Sequence, residues 1–293
     1  MDKSSSSVKK TAKLTLSGTW SRAFAIFGFM LISMLIFFIS WRVIYDALVL
    51  TGLVNTEITV DSTEFGASLV TIAQQVTSQG HLIMLIITLL FILLRFVIVS
   101  PLELGETKWY YNAMNDDSAQ VGQVFFYYSS NDWFIDSIMF KLKLFFQKLF
   151  FVLIPLLPSV AAFGAGIYYA RRFGDFSSSS DSSNIIIYFA LGVLLLLLGL
   201  LLGYYINLRL FLAPYLFTIN VNGPRVSVFK QSRNIMKGNK MRVVSLLISF
   251  IPSMLSCLLI LPIMYVYPVV KGSMAVLAAQ LIEEDRQREE RGF

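Results

Sequence analysis

The chain has 293 residues, with 24 Lys and Arg against 18 Asp and Glu for a net charge of +6; it is 56% hydrophobic and only 14% charged. An ordinary soluble domain carries about 25% charged residues, so a water-soluble fold of this size lacks the polar surface to cover its core, which excludes a soluble enzyme. A single cysteine, Cys257, and a single histidine, His81, exclude an internal disulfide and give no ligand cluster for zinc or an iron–sulfur centre. No cofactor and no metal are expected.

In chain order, the hydrophobic mass falls into runs, and a run needs about 20 residues to cross the ~30 Å hydrocarbon layer as a helix. Residues 1–11 read as a disordered tail, because Ser4-Ser5-Ser6-Ser7 has nothing to bury against its ordering entropy. Residues 23–39 are uncharged and reach crossing length with Ser40 and Trp41. That run exceeds a secretory signal core, and Ser40-Trp41-Arg42 is a poor cleavage site, so it reads as a retained crossing. Arg42 and Asp46 are spaced to pair on one helix face. Further runs cover 82–99, interrupted by Arg95, then 149–170, 185–206 and 243–261. A weaker run after Pro262 spans 263–282 and holds Lys271 and Gln280. The expected fold is an all-α, polytopic membrane helical bundle of about six transmembrane helices with cytoplasmic amphipathic helices. It forms a single membrane domain over 1–293 and ends in a charged tail at 283–293.

Basic residues near crossings stay on the cytoplasmic side. Lys3, Lys9, Lys10, Lys13 and Arg22 precede the first crossing with only Asp2 opposing, which places the N-terminus inside. The loop 48–81 has no Lys or Arg and carries Glu57, Asp61 and Glu64, whereas 209–242 holds seven basic residues and no acid. Arg171 and Arg172 fall on the outward side against the rule, with Asp175 and Asp181 close behind. Six crossings return the C-terminus to the cytoplasm, and the expected location is a bacterial cytoplasmic (inner) membrane.

Two interior loops, 100–148 and 207–242, are too long and too patterned for bare connectors. In the first, Val121, Val124, Phe125 and Tyr128 recur at helical spacing after the acceptors Asp116, Asp117 and Ser118. Further on, Phe134, Ile135, Ile138, Met139, Leu142, Phe145 and Phe146 share one face, opposite Asp136, Lys141, Lys143 and Gln147. That segment is expected in the membrane interface. In the second loop, Asn222-Gly223-Pro224 sets a helix start and Gly238-Asn239 a left-handed stop. Lys230, Arg233 and Lys237 form a basic stripe, and Val228, Phe229, Ile235 and Met236 line the other side.

Ser100-Pro101-Leu102-Glu103-Leu104-Gly105, the stretch from Ser232 through Gly238, Asn239 and Lys240 to Ile251, and the opening Ala12-Lys13-Leu14 to Gly18-Thr19-Trp20 resemble the signature segments of a bacterial integral-membrane family, catalogued as domain of unknown function 975. The chain departs from that pattern at Pro252-Ser253, where the family has a Gly-Trp pair. The resemblance implies a six-helix bacterial membrane protein and supplies no catalytic residue.

The second and third crossings with their interior loop are echoed by the fourth and fifth, and Val121-Gly122-Gln123-Val124-Phe125 resembles Val226-Ser227-Val228-Phe229, the pattern of a parallel repeat. Arg95 and Arg209, late in their crossings, read as residues whose long side chains reach the headgroups, with an ion-pathway role as the alternative. Asn207 is the remaining candidate intramembrane polar residue. Gly192, Gly199 and Gly203 share one side of the fourth crossing and are candidates for close helix packing. Trp109, Tyr110, Tyr111, Tyr127, Tyr128 and Trp133 read as an interfacial aromatic belt. Glu103 and Glu106 are the one acidic pair at headgroup depth and read as a loop pair bridged to Lys108.

No phosphate-binding loop and no nucleophile elbow are present, so no enzyme is expected. Nucleic acid is not an expected partner either, since the net charge is accounted for by interior loops. The reading that follows is a non-enzymatic scaffold or accessory component in the lipid bilayer. Its candidate contacts with anionic lipid or a membrane-protein partner are Arg225, Lys230, Arg233, Lys237 and Lys240. The alternative is a transporter of a small solute, lipid or peptide built from two similar helix-pair units.

Overall fold

The computed structural model describes residues 5–50, 79–115, 119–172, 179–220, 225–257 and 261–291. Asp116-Asp117-Ser118 and Asn222-Gly223-Pro224 lie outside them, as does nearly all of the loop 48–81. Among the described residues the structure is helical, with no strand. In chain order the helices are α1 (Ser5–Leu16), α2 (Trp20–Leu50), α3 (Gln79–Asn115), α4 (Asn131–Arg172), α5 (Ser179–Asn207), α6 (Ala213–Ile219), α7 (Arg225–Ile235), α8 (Lys240–Ile248), α9 (Ile251–Ser256) and α10 (Leu261–Glu290), with a 3-10 helix at Val121–Tyr128. Five helices, α2, α3, α4, α5 and α10, contain segments long and apolar enough to cross a membrane.

Helix lengths decide how the chain is layered. With 42 residues, α4 is about 63 Å long at 1.5 Å per residue, twice the ~30 Å apolar layer. With 37 residues, α3 likewise overshoots by roughly 25 Å. The overshooting halves build the core. Leu102, Leu104, Trp109, Tyr110 and Ala113 of α3 and Phe140 and Leu144 of α4 are buried with Leu212, Leu216 and Phe217 around α6, Val228, Ile235 and Met236 around α7, and Val269 to Leu281 of α10. In the apolar halves, Leu89, Leu90, Leu157, Val160, Leu194 and Leu201 are exposed; there the chain meets a solvent as apolar as itself.

Two local devices hold the core. Residues 100–106 of α3 are buried or half-buried all round, and Gly105 lets the backbone of the 3-10 helix approach so closely that a Cβ there would overlap the Val124 carbonyl. Phe140 stacks on Phe217 at 4.2 Å and lies 5.2 Å from Phe229, joining α4, α6 and α7 through ring faces.

Several expectations are corrected. Residues 5–11, expected to be disordered, lie in α1. The Val8, Ala12 and Leu16 spacing buries one face against the core while Lys10 and Lys13 stay out. The 243–261 run is not one crossing helix, because Pro252 has no N–H to offer the Ile248 carbonyl. Helix α8 therefore stops at Ile248 and α9 restarts at Ile251, with Lys9 donating to the Ser249 carbonyl beside the break. The two proposed repeat units consequently differ, since the return arm of the first is the unbroken α4. Val121–Tyr128 is a 3-10 helix rather than an amphipathic α-helix. By contrast, the apolar face assigned to residues 134–146 is left exposed at Ile135, Met139, Phe145 and Phe146, as a face turned to the membrane interface is, while Ser137, Phe140 and Leu144 face the protein. Trp109, Tyr110 and Tyr127 belong to the core and not to a belt.

Candidate functional site

Helix α7 packs where the apolar end of α5 meets the core. Its buried face is Val228, Phe229 and Ile235, followed by Met236, and Ser232 donates a 2.8 Å hydrogen bond to the Arg209 carbonyl in the turn after α5. The chain then reverses at Gly238, whose φ of +85° is the left-handed stop expected from Gly-Asn. Asn239 donates to the Ile235 carbonyl at 2.8 Å. This turn swings Lys240 back toward α5, where its ammonium sits 4.3 Å from the centre of the Tyr205 ring.

The result is a groove of about 430 Å³ lined by Tyr205, Arg209, Arg233, Asn234, Lys237, Gly238, Lys240 and Met241. Four cations line it, and no acidic side chain stands among the described residues that do. Burial, and then the nearby Arg209, lower the proton affinity of Lys240 below that of an ordinary lysine, as expected where like charges crowd without a counter-ion. Arg233 also borders a second, larger groove of about 570 Å³, with Met139, Phe140, Phe217 and Phe229 as apolar walls and Lys143, Lys230 and Asp136 among its polar ones. Its guanidinium donates to Gln147 of α4 at 3.3 Å.

The candidate residues divide as follows. Arg209, Arg233, Lys237 and Lys240 converge on one groove, and Lys230 faces the adjoining one. Arg225 opens α7, and its side chain lies outside the described residues. Arg95 is exposed on α3, apart from these grooves. Gly192, Gly199 and Gly203 are turned toward α4: a Cβ on Gly199 would come 2.6 Å from the Pro155 carbonyl oxygen, and one on Gly203 3.1 Å from the Val152 Cα. Asn207, at the end of α5, donates to the Lys148 carbonyl at 3.2 Å and ties that hairpin together.

The acidic pair behaves differently from expectation. Lys108 bridges neither Glu103 nor Glu106; its ammonium lies 2.9 Å from the centre of the Phe126 ring. Glu103 instead pairs with Lys141 of α4 at 2.6 Å, and the fully buried Glu106 pairs with Lys271 of α10 at 2.9 Å. Sequence reasoning missed Lys271, which is 165 residues from its partner. The available signal was an isolated lysine in an otherwise apolar run, which needs an acid once buried.

The model of the family described as Protein of unknown function (DUF975) matches residues 1–276. The chain belongs to that family. No curated protein and no solved structure matches it. The match covers α1 to α9 and the part of α10 that carries Lys271, so both the cationic groove and the Glu106–Lys271 pair lie within this DUF975 protein's family region.

Proposed function

We propose that this multi-pass membrane protein is a non-enzymatic scaffold or accessory component that holds anionic phospholipid headgroups in the groove between α5, α7 and α8. The supporting observation is the convergence of Arg209, Arg233, Lys237 and Lys240 on one groove without a facing carboxylate. Each cation near an anionic leaflet contributes roughly 1 kcal/mol, and guanidinium groups add bidentate contacts to phosphate. The adjoining groove, with apolar walls from Met139, Phe140, Phe217 and Phe229, offers acyl-chain chemistry beside headgroup chemistry.

In this reading the basic end faces the cytosol of a bacterial inner membrane and both chain ends lie there. The lysines before α2 and Arg22 in its first turn support that orientation. So does the 3.0 Å pair between Arg242, at the start of α8, and Glu284, near the end of α10, which holds both arms of the last hairpin at the same end. The test is lipid retention. Arg233→Gln combined with Lys237→Gln and Lys240→Gln is expected to lose co-purifying phosphatidylglycerol, seen by native mass spectrometry, and to bind it about a hundredfold more weakly. Unchanged retention would leave the cations as topology signals only.

A further inference from the structure

A separate cavity of about 320 Å³ lies between α3, α4, α6 and α10 and shares no lining residue with the cationic groove. Three ammonium groups border it, Lys141, Lys148 and Lys271, against two carboxylates, Glu103 and Glu106. Both carboxylates are already engaged. Glu103 accepts from Lys141 at 2.6 Å, and the two oxygens of Glu106 accept from the Tyr267 hydroxyl at 2.6 Å and from Lys271 at 2.9 Å.

The donors are not used up. An ammonium has three N–H bonds, and Lys141 and Lys271 each commit one to these carboxylates. Lys148 enters no ion pair among the described residues. Tyr110 lines the cavity and is only 1% exposed, yet its hydroxyl has no hydrogen-bond partner, an arrangement that costs free energy unless something accepts that proton. The lining thus carries an excess of one positive charge and of hydrogen-bond donors. A water molecule would satisfy the hydroxyl and leave the charge unbalanced.

We infer that this cavity is a binding site for a small oxyanion, a carboxylate or phosphate group, facing the Tyr110 hydroxyl and the uncommitted N–H bonds of Lys141, Lys148 and Lys271. The site stands apart from the lipid-binding reading above and does not depend on it.

The experiment follows the thermal unfolding midpoint of the full chain in phosphate-free maltoside at fixed ionic strength, titrated separately with inorganic phosphate, succinate and a short-chain phosphatidylglycerol. At least one is expected to raise the midpoint saturably. Saturation by phosphate or succinate identifies a soluble anion, and a response confined to the phospholipid identifies a headgroup. Lys148→Gln is expected to weaken that response about tenfold, the loss of one charge-assisted hydrogen bond. Tyr110→Phe removes only an unpartnered hydroxyl, so the ligand-free midpoint should hold or rise while anion affinity falls about fivefold. The inference is overturned if none of the three anions gives a saturable shift. It is equally overturned if both variants respond as the parent does, including the case where only the Arg233→Gln and Lys237→Gln changes abolish the response.

Discussion

The apolar segments of α2, α3, α4 and α5 and that of α10 meet different surroundings. In each of the first four, 17% of the residues are buried, and in α10 50% are. All five are long and apolar enough to cross a membrane, but the α10 segment is the least apolar, with a mean hydropathy of 1.3 against 2.1 to 2.8 in the other four. Helix α10 packs mainly against α1, α3 and α2, with Val269, Ala275, Leu277 and Leu281 buried, and Lys271 finds Glu106. The other four expose Leu, Ile and Phe along most of their apolar length. Burial inside protein must satisfy every polar group, whereas lipid contact only forbids them. Substitutions in the core should therefore cost far more than the same substitutions in the exposed halves.

The largest effect is expected at Gly105. Gly105→Ala places a Cβ on the Val124 backbone, and the α3 contact with the 3-10 helix must open, at a cost of about 3 kcal/mol. Gly164→Ala in the exposed half of α4, where a Cβ meets nothing within 4 Å, should instead gain about 0.5–1 kcal/mol from helix propensity. Thermal unfolding in one detergent compares the two, and equal shifts would remove the distinction between the regions.

Next comes the buried ion pair. Lys271→Met leaves Glu106, fully buried, without its ammonium, and should cost about 2 kcal/mol, below the range for completely enclosed pairs because Lys271 itself is a third exposed. The double change Lys271→Met with Glu106→Gln should recover part of that loss. A double variant no better than the single one would deny the pairing its structural weight.

Gly199→Ala tests the α4–α5 hairpin, where the added methyl faces the Pro155 carbonyl at 2.6 Å. A loss of about 1–2 kcal/mol is expected, together with weaker disulfide trapping between introduced cysteines at Val152 and Gly203. The smallest effect is expected for Arg42→Gln. The Arg42–Asp46 pair at 3.1 Å is largely exposed, so at most about 0.5 kcal/mol should change.

Local chemistry was legible in the sequence where it acts within a few residues. Runs of crossing length, the stop at Gly238, the two-sided helix 225–235 and the pairing of Arg42 with Asp46 all depend on spacings of four or fewer residues or on uninterrupted composition. Contacts set by the assembled bundle were not legible. Glu106 and Lys271 are far apart in the chain, and only the crossing of α3 with α10 brings them together. The apolar runs of α3 and α4 announced their membrane halves, and the one-sided pattern of 134–146 announced an amphipathic stretch before Leu149, while the continuation of α3 past Ser100 looked like a loop because charged residues interrupt it. Pro252 lay in plain view, but the break it imposes was masked by the surrounding apolar run. The four cations of the groove were each named, and the reversal after α7 that gathers Arg233, Lys237 and Lys240 with Arg209 required the fold.

The exposed apolar halves are the lipid-facing part of this molecule, and the basic end is its water-facing folded core. Single cysteines introduced into a Cys257→Ser background at Leu157, Leu194 and Lys237, all exposed in the structure, can be probed in nanodiscs with a membrane-impermeant charged maleimide. The account predicts rapid labelling at 237 and none at 157 or 194. Comparable labelling at all three positions would contradict it.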